Sequence, residues 1–162
     1  MSRVIRWAGC AIAALLFTGP LVAGQAVKPD AHGFIAAQPE DLKPAAGATS
    51  VVVFGDPSKP GIYIVRNTFA PGRGSRPHFH NQDRYVTVIK GTWWVALGPE
   101  SDVYDPTKMI AMKPGSFVFH PANGHHYDGA KDEEAVVEIT GVGPVTTTQL
   151  TPAAGRGRQG QP

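Results

Sequence analysis

From Ser50 onward the apolar residues of this chain come in short runs, each soon closed by glycine or proline. Examples are "SVVVFG", "IYIVRNTFAPG", "RYVTVIKG", "TWWVALGP", "SFVFHP" and "EAVVEITGVGP". That punctuation rules against long helices, since an interior glycine costs about 1 kcal/mol and an interior proline about 3 kcal/mol. It suits short strands joined by turns, where both residues supply the backbone angles that turns need. The supply is ample: 19 glycines and 15 prolines in 162 residues. With 42% apolar and 17% charged residues the chain has an ordinary globular balance, and its length suits one domain with a real core.

The expectation is therefore an all-β fold of eight or so strands, a sandwich or barrel without internal repeats. Strands are expected at 50–55, 62–70 and 84–91. The segment 92–98 is expected to return as hairpin partner of 84–91. Three short strands separated by turns are read across 109–130, then one at 134–144 and a last one within 145–150.

Both ends differ from this middle. Residues 1–26 carry Arg3 and Arg6, an apolar run from Trp7 to Phe17, and then small residues ending at Gly24 and Ala26. This is the layout of a secretory signal peptide, with an apolar run too short to span a bilayer. An uncleaved membrane anchor is the alternative. Export implies a periplasmic or secreted protein with no stable membrane association after cleavage. Cleavage removes Cys10, the single cysteine, so disulfide and thiol chemistry are not expected of the mature chain. It also removes two arginines and leaves 13 basic against 13 acidic residues, a balance that does not favour nucleic acid as a partner. Residues 27–49, rich in Pro, Ala and Gly, read as an extended arm. Residues 151–162 have nothing apolar to bury and read as a disordered tail.

Five of the six histidines fall in two clusters: His78 and His80, then His120, His125 and His126. Residues two apart on a strand project to the same face, so His78 and His80 point together and Phe79 points away. A third imidazole from a distant strand would complete a metal site with open positions. An His-x-His pair alone is equally at home on an exposed strand, so the second cluster carries the weight. Neighbours on a strand face opposite ways, so only one of His125 and His126 can join the pair. Tyr63, Phe69, Trp93, Phe117, Phe119 and Tyr127 are candidates for the wall of a small, partly apolar pocket, about half of them being plain core.

The glycine frame around these clusters resembles the two motifs of the cupin superfamily. Gly72, His78, His80 and Gly91 match the first motif; Gly115, Pro121 and His126 match the second. The resemblance covers roughly residues 50–148, and small single-domain bacterial cupins are the nearest group. It implies a double-stranded β-helix (jelly-roll) barrel at 50–150 with His78, His80 and His126 as ligands of one divalent metal (Fe, Mn, Zn, Ni or Cu). His120, beside the Pro121 turn, is then expected at the rim or behind the ligands. Asn123 takes a glycine place in the second motif, which it can fill because asparagine tolerates positive φ.

The first motif also departs at Arg84, where cupins commonly carry a glutamate. A guanidinium cannot ligate a metal. Three arrangements follow: three histidines hold the metal alone; Arg84 turns aside and holds a substrate anion near the metal; or Arg84 replaces the metal's charge. A surface pairing with Asp83 or Asp105 is the plainer alternative, and Gln82 or Asp83 is a poor candidate for the missing ligand. The implied function is a metal-dependent, dioxygenase-like enzyme on a small organic substrate. The alternative is a non-catalytic cupin binding a small ligand such as a sugar or acid. An exported chain meets zinc and copper more readily than ferrous iron, and zinc would bring no redox chemistry. A homodimer, with the 27–49 arm covering a neighbour's sheet edge, is also compatible with the sequence.

Overall fold

The computed structural model describes residues 27–150; the expected signal peptide (1–26) and tail (151–162) lie outside the described residues. Ten strands run from Ser50 to Gln149: β1 Ser50–Phe54, β2 Gly61–Phe69, β3 His78–His80, β4 Arg84–Lys90, β5 Trp93–Leu97, β6 Ile110–Met112, β7 Phe117–His120, β8 His126–Gly129, β9 Ala135–Gly143 and β10 Thr147–Gln149. Two short 3-10 turns, Pro99–Asp102 and Pro106–Lys108, sit between β5 and β6. Among the described residues no helix is long and apolar enough to cross a membrane.

The strands form two five-stranded antiparallel sheets, ordered β1-β2-β9-β4-β7 and β10-β3-β8-β5-β6. From β2 onward the chain passes back and forth between them, β5 and β6 being the one consecutive pair in one sheet. This is the double-sheet jelly roll. The expected hairpin of 84–91 with 92–98 does not form. Both edges of β4 are taken, by β7 and β9, while β5 pairs with β6 and β8 in the other sheet. Gly91 makes the change of sheet possible, turning the chain sharply with φ +67.

Alternation along the first sheet sets two rows of side chains inside the barrel. Val65, Ile139, Val86 and Val118 lie side by side across β2, β9, β4 and β7, all buried. They meet Trp93 and Val95 of the second sheet in one apolar cluster, and burial of each such side chain is worth about 1.5–3 kcal/mol. One step along each strand, toward the histidines, the in-register row is Tyr63, Gly141, Arg84 and His120. A polar row thus rests on an aliphatic one.

The aromatics sort by face. Tyr63 and Trp93 are interior, and Phe69 packs against the core. Tyr127 is buried on the outer side of the second sheet with Ala96 and Met109, and its hydroxyl donates to the Asp105 carbonyl at 2.7 Å. Phe117 and Phe119 point outward and are exposed, grouped with Tyr85.

A β-carbon at Gly91 would strike the backbone carbonyl oxygen of Glu134, and positive φ adds its own strain for any L side chain. Gly91→Ala is expected to lower stability by about 2 kcal/mol or more, read as a reduced urea midpoint. A loss below about 0.5 kcal/mol, the range of ordinary surface substitutions, would show that this turn does not constrain the fold.

Candidate metal centre

His78 and His80 project inward from β3, and His126 is brought beside them by one ladder pair, His78 with His126. The turn before β8 is tied to β3 as well: the Asn123 amide donates to the His80 carbonyl at 2.7 Å. Asn123 has φ 62, the left-handed conformation expected of it. One ligand atom from each of the three histidines lies within 4.8 Å of the others, and all three side chains are buried.

The tautomers follow from the partners. Nδ1 of His78 donates to the Arg76 carbonyl (2.7 Å), that of His126 to the Gly124 carbonyl (2.9 Å), and that of His80 to the Thr146 carbonyl (3.2 Å). A carbonyl oxygen only accepts, so Nδ1 of His78 and of His126 carries a proton; His80 Nδ1 also meets the Thr147 hydroxyl at 3.1 Å, and the Arg84 donor on its Nε2 fixes the same tautomer there. Backbone anchoring of one ring nitrogen is how metal-ligating histidines are oriented. Burial, followed by the charge of His78, lowers the pKa of His126 to about 4. Burial, then Arg84, lowers that of His80 to about 2. Both imidazoles are neutral at pH 7, as a ligand must be.

The facing wall comes from the first sheet. Arg84 points inward and its guanidinium donates to His80 Nε2. It pairs with neither suggested surface carboxylate: Asp83 accepts from the Ala122 amide, and Asp105 from Thr107. Of the two places expected for His120, the rim is excluded: it lies in the interior, 4% exposed, with its ring 3.9 Å from that of His126 but outside the three-histidine cluster. Register explains this, because His120 is the cross-strand neighbour of Arg84 and shares its inward face. Burial, then His126 and Arg84, lowers the pKa of His120 to about 2. Tyr63 completes the wall, lying over Gly141, where a β-carbon would come 2.6 Å from its hydroxyl. Burial raises its pKa and Arg84 works against that rise. His125 faces out, bonded to Asp102 at 2.5 Å and stacked on Phe79. That resolves the choice between the two adjacent histidines.

One interior group went unread in the sequence, and the place of another, Tyr63, was open among the pocket-wall candidates. Asp128 sits two residues beyond His126 on the same face of β8 and bonds Ser75 Oγ. The spacing of two was the available signal. The role of Tyr63 depends on β9 lacking a side chain at Gly141, which only the pairing of β2 with β9 reveals.

The donor set suits a divalent metal: three buried imidazoles, each with Nδ1 anchored to a backbone carbonyl. One nitrogen is contested, because Arg84 holds His80 Nε2. Tyr63 lies beside Arg84 on the first-sheet wall and interacts with it, so that wall offers the guanidinium an alternative contact.

Two interlaced sheets closing on inward histidines from both motifs give the chain the cupin fold. Sequence comparison alone does not reach this: no family model and no curated protein matches the chain. Solved structures do. A cupin-2 domain from Rhodospirillum rubrum superposes with TM-score 0.53 at 19% identity, over 64% of this chain and 66% of that one. A cupin-like protein from Thermotoga maritima gives 0.50 at 20% identity, over 62% and 75%. The DMSP lyase DddQ from Ruegeria pomeroyi gives 0.53 at 14% identity, over 64% and 52%. The chain spans about half the length of the DMSP lyase structures it matches.

The buried histidines make the metal-free protein acid-sensitive. His80, His120 and His126 are held neutral below the unfolded value of about 6.5. Their contribution is complete above that pH and is lost as pH falls toward their folded values. Each makes the slope up to about 1.4 kcal/mol per pH unit. Urea midpoints of metal-free protein are expected to drop markedly between pH 7.5 and pH 5.5. A flat profile would contradict the burial of neutral imidazoles.

Proposed function

We propose that this chain is an exported cupin holding one divalent metal through Nε2 of His78, His80 and His126, and acting on a small organic substrate in the barrel interior. The observation that carries the reading is three buried histidines with one ligand atom each within 4.8 Å of the others, and with every Nδ1 bonded to a backbone carbonyl. His78, His80 and His126 would be the ligands. Bound there, the metal would supply Lewis acidity, and with a redox-active ion the capacity for oxygen-dependent oxidation.

The chain's own residues do the rest. The apolar cluster beneath the polar row keeps bulk water from the inner side of the site. Arg84, Tyr63 and His120 present polar groups toward the ligands, where they would orient substrate oxygen atoms. The DMSP lyases among the fold's solved relatives act on a small molecule, which supports small-molecule chemistry in this interior without naming the substrate. The proposed exported location rests on the signal-like layout of residues 1–26.

A second reading has its own observation. Arg84 occupies the lone pair that a third ligand would use, which favours a metal-free cupin that binds a small ligand without catalysis. Metal content separates the two. Purified protein is expected to retain one divalent ion per chain, measured by elemental analysis. His126→Ala should weaken metal affinity at least tenfold, and outward-facing His125→Ala should leave it unchanged. Substoichiometric metal that is indifferent to His126→Ala would favour the metal-free reading.

A further inference from the structure

The interior around the three histidines carries a surplus of positive charge and of hydrogen-bond donors, from Arg84, Tyr63 and His120 on the facing sheet and from Trp93 on the histidines' own sheet. Arg84 has no carboxylate hydrogen-bonded to it. The interior carboxylate Asp128 acts on it through space, but its side chain is engaged by Ser75 Oγ. Arg84 Nε and Trp93 Nε1 are buried without a protein partner, and so are both ring nitrogens of His120; the buried Tyr63 hydroxyl faces Arg84, which interacts with it. Arg84 Nε and Trp93 Nε1 are N–H donors, and neutral His120 adds one more. Acceptors are scarce by comparison: the Tyr63 oxygen, already facing Arg84, and one nitrogen of His120. Buried donors beside an unpaired cation call for a partner with several acceptor lone pairs and a negative charge.

The same arginine holds His80 Nε2. A divalent ion and a guanidinium compete for that lone pair and repel one another, most strongly where water is excluded. An anion on the wall relieves both conflicts. It gives Arg84 a charged partner away from His80, and it places negative charge between the two cations.

We infer that Arg84, with Tyr63, Trp93 and His120, binds the carboxylate of the substrate or an equivalent oxyanion, and that anion and metal bind with positive coupling because the anion draws Arg84 off His80. This rests on the metal reading proposed above. Coupling is reciprocal, so the factor by which the anion tightens metal binding is the factor by which metal tightens the anion.

The test titrates metal-stripped protein with Co(II), followed by absorption, and with Zn(II), followed by calorimetry. Each titration is run alone, with excess acetate, and with excess sulfate, in a low-chloride buffer. Acetate is expected to lower the metal Kd about tenfold or more, within the usual range of such couplings. Arg84→Gln should bind metal tightly without acetate and lose the acetate effect, while Arg84→Lys should keep a weakened one and guards against misfolding of the glutamine variant. A response to acetate alone assigns a carboxylate; an equal response to sulfate assigns oxyanions generally. Tight metal binding unaffected by acetate and by Arg84→Gln would overturn the coupling and leave the metal reading intact. If no condition yields bound metal, the metal reading falls and the coupling falls with it. Acetate that still raised the melting temperature of the wild type, but not of Arg84→Gln, would then leave the Arg84 anion contact as the surviving part.

Discussion

A β-strand shows successive side chains to opposite faces, and a ladder locks that alternation to its neighbours. The whole interior of this barrel depends on the pairing. Tyr63, Arg84 and His120 come from three strands far apart in sequence, yet they form one row because β2, β9, β4 and β7 are held in register. A slip of one residue on β4 would turn Arg84 outward and bring Tyr85 in. The same rule separates His126, which faces the site, from His125, which pairs with Asp102 outside.

Electrostatics distinguishes this interior from one built around a carboxylate. The three anchored imidazoles bring no negative charge, and the position where a glutamate is usual carries a cation instead. At an effective dielectric of about 20, a divalent ion and a guanidinium a few ångströms apart repel by several kcal/mol. Desolvation adds to the cost and depresses the pKa of Arg84. With a metal bound, a site of this balance would discriminate by charge, disfavouring cationic ligands and rewarding anionic ones.

Much of the architecture was legible in the sequence because it is local. Glycine and proline spacing marked the strand ends, the two-residue spacing of His78 and His80 set their common face, and Asn123 could be read as a positive-φ residue before its φ of 62 was seen. What depended on pairing was not legible. The segment after Gly91 looked like a hairpin return, and only the saturation of β4 by β7 and β9 sends β5 to the other sheet. His120 looked peripheral because the Pro121 turn follows it. Its burial comes from lying across from Arg84, a neighbour 36 positions away. Asp128 was missed, and Tyr63 could not be sorted from the other aromatic wall candidates, for the same reason: each owes its place to partners that proximity in sequence does not reveal.

The second sheet has a narrow seam. β3 and β8 are joined by the single pair His78 and His126, whereas β2 and β9 are zipped along nine consecutive pairs. The three candidate ligands straddle that seam, two on one side and one on the other. An ion seated among them would act as a rivet, closing mechanically the place where the ladder is thinnest. Occupancy and the integrity of the barrel wall would then be one property, and β3 with its outer neighbour β10 would be the part of the protein whose firmness reports on the site.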